Sequence, residues 1–243
     1  MAIARALGRN PGLLQGGITL QATGPLASGA GSLAFDGATG FVVAVHPEPN
    51  LQPPFTFEVW CNAAAYQGAA LGFQSWPSLI SPGPFWGHLV YMVSSNLLAI
   101  GVNGSSPGAV LGMPLSLNTW HHFVGTYAGV GGALSVYLDG QFGGPFTSAG
   151  SPQQYLGHWH IGANYTLYWY AQTGPWFKGS LAHVAVYPTV LSATRIAAHF
   201  AAASATQPGV YESTVLADHP LHYWPLTTVE GQWTPDLVLR RAV

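Results

Sequence analysis

At 243 residues, 49% of them hydrophobic, the chain is long enough to bury one large core or two small ones. Only 6% of its residues are Asp, Glu, Lys or Arg and its net charge is −2, so ionised side chains cannot cover the surface, and six cationic residues in all leave no basic patch to hold phosphates. These figures exclude a nucleic-acid partner, and 31 glycines and 19 prolines break every apolar run short of the roughly 18 to 20 residues of a membrane span.

In chain order, MAIARALGRNPGLL carries two arginines ahead of Pro11 but no apolar stretch long enough for a secretory signal, and residues 1–11 are expected to form an N-terminal arm. FTFEVW (55–60) alternates, with Phe55, Phe57 and Val59 on one face and Thr56, Glu58 and Trp60 on the other. LVYMV (89–93), LLAIGV (97–102), WHHFVGTY (120–127), LSVYLDG (134–140) and LAHVAVY (181–187) read as further strands divided by Gly, Pro and Asn turns. Asp139-Gly140 is a tight-hairpin pair. One short peripheral helix is expected near 192–203, capped by Ser192, with Ile196, His199 and Phe200 on one face. Residues 204–217 read as a polar linker, and 218–243 resume strand-like content.

Glycoside hydrolases need two carboxylates placed together. None of Asp36, Glu48, Glu58, Asp139, Glu212, Asp218, Glu230 and Asp236 falls two or four residues from another on a strand, and Glu58, alone on its strand, reads as solvent-facing. There is no GxSxG elbow or P-loop, and Cys61 beside Trp60 reads as a small buried hydrophobe. The chain is therefore expected not to be an enzyme. His121, His122, His158 and His160 meet only if their strands pair, and with no carboxylate or thiol evident beside them they read as packing residues, not zinc ligands. No cofactor or metal is expected from these residues. Aromatic loops are better candidates for ligand or partner contact: Trp76, Phe85 and Trp86 in one, and Tyr165, Tyr168, Trp169, Tyr170 and Trp176 in the other.

The succession SLAFDGATGFVVA, FTFEVW, NTWHHFVGTY, LSVYLDGQ, HIGA and FKGSLAHVAVYPTVLS resembles the laminin-G-like family within the concanavalin A-like lectin/glucanase fold, over residues 12–203. The resemblance implies an all-β, antiparallel jelly-roll β-sandwich. VLADHPLHYWPLTTVEG resembles the opening of a further module of the same kind, whereas the front of the chain lacks that strand, as in a circular permutation. Residues 218–243 are then expected to supply a closing strand around His222, Tyr223, Trp224 and Leu226, to this chain or to a neighbouring subunit. Some laminin-G-like domains bind calcium, but the few acids here assign no residues to such a site. The first expectation for function is a structural or adhesion module of a multi-subunit assembly, of the kind found in phage tails, fibres or virion decoration, whose partners are its own copies or other subunits. A free-standing lectin that binds glycans is the alternative, and a glycoside hydrolase comes last.

Overall fold

The computed structural model describes residues 7–75, 86–93, 96–102, 109–147, 152–165 and 173–239, with backbone alone at 86–88, 109–111 and 147. The strands begin with β1 (Gly12–Gln15), β2 (Ile18–Gln21), β3 (Ser32–Asp36), β4 (Phe41–Ala44), β5 (Glu48–Pro49), β6 (Phe55–Ala63) and β7 (Ala69–Gln74). They continue with β8 (Trp86–Val93), β9 (Leu97–Val102), β10 (Ala109–Pro114), β11 (Trp120–Tyr127), β12 (Ala133–Leu138), β13 (Gln141–Thr147), β14 (Leu156–Ile161) and β15 (Lys178–Tyr187). Two helices, α1 (Ala193–Ala202) and α2 (Val210–Leu216), precede β16 (His222–Trp224) and β17 (Trp233–Thr234). One sheet has the order β10-β9-β8-β7-β14-β4-β1-β17, with β5 on β14; the other runs β13-β12-β11-β6-β15-β3-β2, with β16 on β15. These pairings are antiparallel.

The alternation in β6 sorts its side chains between two cores. Phe55, Phe57, Val59 and Cys61 enter the main core with Phe73, Val90, Ile100, Trp159 and Leu181, whereas Trp60 joins a second core with Tyr187, Ile196, Tyr211, Val215 and Tyr223. The second core exists because α1 and α2 lie over the outer face of the sheet that contains β6 and β15. Ser192 caps α1 by accepting from the Arg195 N–H at 3.3 Å. Segment 204–217 is therefore not a bare linker, because it contains α2, whose Tyr211 and Val215 are buried. That helix starts at Gly209 with no side-chain cap, so its start carries no sequence signal.

Asp139 and Gly140 have φ of 52° and 75° and turn β12 into β13. β15 is served along one edge by two strands in succession: its residues Lys178–Leu181 pair with β3, and Val184–Val186 pair with β16. Between them the register shifts at His183, a non-glycine residue at φ 50°, whose N–H donates to the Pro225 carbonyl at 2.8 Å. β17 pairs with β1 at the edge of the other sheet. The tail thus contributes a strand to each sheet of its own chain; only 222–224 of the closing segment pair as strand, while Leu226 is buried in the main core.

The front of the chain is fastened to this tail. Arg9 N–H donates to the Val238 carbonyl at 2.7 Å and Asp236 N–H to the Leu7 carbonyl at 3.0 Å. Gly8, at φ +82°, lies so close that an added Cβ would stand 1.5 Å from the Asp236 carbonyl oxygen. Within the expected arm, Leu7 and Asn10 are buried.

Candidate functional site

The segments that join at this fastening also build a cleft. Behind its floor lies the buried His222, which β16 places between two carboxylates: Nδ1 lies 2.8 Å from Asp236 Oδ2, and Nε2 lies 2.8 and 2.9 Å from the two oxygens of Glu48. Both ring nitrogens face acceptors, so the protonated ring, donating at each, satisfies the arrangement. Burial opposes that charge, but the hydrogen bonds to Asp236 and Glu48 and their charges outweigh it and hold the His222 pKa above the ordinary imidazole value. Asp236 is fixed in turn by the N–H groups of Asn10, Tyr223 and Val238 at 3.1, 2.9 and 3.0 Å, and the Trp159 indole donates to Glu48 at 2.5 Å.

Above this floor is a cleft of about 860 Å³. Arg9, His46, Glu48 and His219 supply polar groups, and Pro188, Pro220, Leu221 and Leu237 supply apolar wall. The Glu48 side chain keeps 17% of its surface exposed, so its carboxylate forms part of the lining. Of Asp236, His222 and Glu48, only Glu48 reaches the cleft, where its carboxylate shares the lining with Arg9 and two imidazoles; His222 and Asp236 are buried behind it. Convergent polar groups on a partly apolar concavity suit a ligand with hydroxyl groups and an apolar face.

The family model described as the concanavalin A-like lectin/glucanases superfamily, of laminin-G type, matches residues 35–197. The chain belongs to that family. No curated protein matches it. Among solved structures, this laminin-G-like chain is similar to the heptameric SAP-like pentraxin from Limulus polyphemus, at 14% identity and a TM-score of 0.51, covering 80% of this chain and 85% of that one. It is also similar to the binding domain of botulinum neurotoxin DC in complex with SialylT, at 12% identity and a TM-score of 0.52, over 81% of this chain and 47% of that one. A putative carbohydrate binding protein from Bacteroides ovatus aligns at 14% identity and a TM-score of 0.50, over 95% and 56%. These likenesses show the fold.

Of the aromatic residues singled out from the sequence, Trp76, Phe85, Tyr168, Trp169 and Tyr170 lie outside the described residues, and Trp86 is described in backbone only. Trp176 is half-buried with its ring 5.9 Å from Phe41, which itself stacks on His160 at 5.6 Å. Tyr165 is half-buried beside Asn164, whose side chain accepts its N–H at 2.7 Å. Neither Tyr165 nor Trp176 lines the cleft. The four histidines divide between the sheets, His121 and His122 on β11 and His158 and His160 on β14. Among the described residues no group of three or more His, Cys, Asp or Glu forms a metal-binding arrangement.

Glu58 corrects the sequence reading. It is fully buried, not solvent-facing, because α1 and α2 cover its side of β6. Its carboxylate accepts from Tyr187 Oη at 2.5 Å and Tyr211 Oη at 2.7 Å, and meets His122 Nε2 at 2.8 Å and His199 Nδ1 at 3.0 Å. Burial pushes its pKa up, but the His199 charge and the hydrogen bonds from His122 and His199 prevail and hold it well below the ordinary carboxylate range. His199 continues through Nε2 to Asp218 at 2.7 Å, and Asp218 pairs with Arg195 at 2.9 Å. The histidines of WHHF thus do have carboxylate neighbours, Asp139 for His121 and Glu58 for His122. Sequence reasoning missed these pairs because each joins residues from separate strands or helices.

Proposed function

We propose that this chain is a binding module that holds a hydroxyl-bearing ligand, a glycan above all, in the cleft formed by Arg9, His46, Glu48 and His219. The observation that carries this reading is the hydrogen-bonded Asp236–His222–Glu48 chain, whose last member, 17% exposed, is held in the lining of a concavity large enough for a small oligosaccharide. Binding is favoured over glycoside cleavage because six acids, Asp36, Glu48, Glu58, Asp139, Asp218 and Asp236, are engaged in holding turns, strands and helices. A glycan array at ordinary salt tests it. Wild type is expected to bind a restricted glycan set, and Arg9→Ala, at the rim, to weaken that binding about tenfold; an array blank for the wild type overturns the reading.

A second reading, as a subunit of a larger assembly such as a virion tail, fibre or decoration layer, is favoured by the edge strand β13. It exposes Phe142 at 55% and Phe146 at 48% on a chain with little charge to keep copies apart. Light scattering distinguishes the two: regular particles support assembly, and a monomer that binds glycans supports the lectin-like module.

A further inference from the structure

Away from the cleft, three side chains from separate parts of the fold meet in one line. His121, at the start of β11, has Nδ1 2.7 Å from Asp139 Oδ2 and Nε2 2.9 Å from Ser116 Oγ. The Ser116 backbone N–H, which can only donate, also points at Nε2, at 3.3 Å. Nε2 therefore carries the lone pair and Nδ1 the proton that is given to Asp139. Asp139 is held for this purpose: its Oδ1 accepts the His122 N–H at 2.8 Å, and its own N–H donates to the His122 carbonyl at 2.8 Å. Ser116 is exposed on the loop between β10 and β11, and the ring of His121 is mostly covered. A hydroxyl on the basic nitrogen of an imidazole, whose other nitrogen is oriented by a carboxylate, is the arrangement that activates serine for acyl transfer. The amide after the hydroxyl, Leu117 N–H, has no acceptor among the described residues and occupies the sequence position from which a backbone donor stabilises a developing oxyanion.

We propose that Ser116, His121 and Asp139 form a surface acyl-transfer site for short-chain carboxylic esters, with Ser116 as nucleophile, His121 as general base and then acid, and Asp139 as positioning residue. Ser116 Oγ bonds to the ester carbonyl carbon while its proton passes to His121 Nε2. The carbon–alkoxy bond then breaks as Nε2 returns that proton to the leaving alcohol. Water repeats the route on the acyl-serine, releasing the acid and restoring the hydroxyl. The sequence holds no nucleophile motif because the three residues come together through a loop, a strand and a hairpin tip.

The test uses the full chain with a fluorophosphonate probe, read by intact mass and peptide mapping, and with p-nitrophenyl acetate as reporter ester. Ser116 is expected to label at least about 100-fold faster than Ser204, another exposed serine in the same molecule, which is the low end of what a positioned base provides. Ser116→Ala is expected to abolish the fast adduct and the ester turnover. Asp139→Asn, which keeps an oxygen for the His122 N–H, is expected to slow labelling and alter its pH profile while leaving the circular dichroism spectrum unchanged. Labelling of Ser116 no faster than Ser204, or turnover unchanged in Ser116→Ala, overturns the proposal.

Discussion

The indole N–H of Trp224 donates to the backbone carbonyl of Asn10 at 2.8 Å, joining residues 214 positions apart. This bond ties the tail strand to the front of the chain directly beneath the cleft. Asn10 also exchanges two hydrogen bonds with the His46 backbone, at 2.9 and 2.8 Å, so the front segment, the tail and the approach to β5 form one unit.

Trp224 is fully buried in the main core as well as hydrogen-bonded. Trp224→Ala is expected to cost about 3–5 kcal/mol, measured by chemical denaturation. Deleting residues 218–243 strips both sheets of an edge strand and removes Asp236 and His222, and is expected to give insoluble or unfolded protein. A soluble deletion variant with the wild-type melting temperature would show that the tail does not hold the fold together.

Glu58→Ala leaves the donors of Tyr187, Tyr211, His122 and His199 around an emptied, buried site. Loss of one partner from such a charged network is expected to cost about 3–5 kcal/mol. Glu58→Gln keeps a carbonyl oxygen and the shape of the side chain, and is expected to cost less than Glu58→Ala. Equal denaturation midpoints for all three proteins would contradict the central role of this carboxylate.

Stability is expected to peak near neutral pH, with a different group behind each limb. His199 and His222 have pKa values raised in the fold: burial opposes their charge, but Glu58 and Asp218 around one, and Asp236 and Glu48 around the other, outweigh it. Their contribution is fully present below the unfolded imidazole value of about 6.5 and is lost as pH rises through the folded values. His183 behaves oppositely, because burial lowers its pKa to about 3 despite the Glu58 charge. The unfolded chain takes up a proton there that the fold refuses, so stability falls between about pH 6.5 and 3, by up to about 1.4 kcal/mol per pH unit. Glu58, with its folded pKa depressed, adds to the loss once pH falls below its ordinary value of 4.5. Thermal melts across pH 4 to 9, repeated on His183→Gln, are expected to show a shallower acid limb in the variant.

Burial, and then the Asp139 charge, push the Cys61 thiol up to about 12. Cys61 is expected to resist a disulfide reagent in the native protein and to react with one equivalent in denaturant. Rapid native reaction would mean that the core around β6 opens far more often than its packing implies.

The sandwich was legible because its signals are local. Alternation in FTFEVW and the positive-φ pair Asp139-Gly140 each lie within a few residues, and Cys61 occupies the core as a small hydrophobe does. The polar interior was not legible for the opposite reason. In an alternating strand, the face opposite the core reads as solvent, and only the packing of α1 and α2 over β6 turns Glu58 inward. The same holds for the cleft, whose Glu48 is braced from behind by His222 and Asp236: the three are up to 188 residues apart and share no motif. One sequence hint existed: His222 lies beside Tyr223 and Trp224 in a segment already marked as strand, and a histidine on such an apolar strand calls for partners.

The position of β16 and β17 also sets a timetable for biosynthesis. The C-terminal half of β15 has no neighbour on its outer side until residue 222 has left the ribosome, and the far edge of the other sheet lacks its last strand until residue 234 follows. Nascent chains that stop short of these strands carry the two edges open, and such edges invite aggregation and chaperone capture.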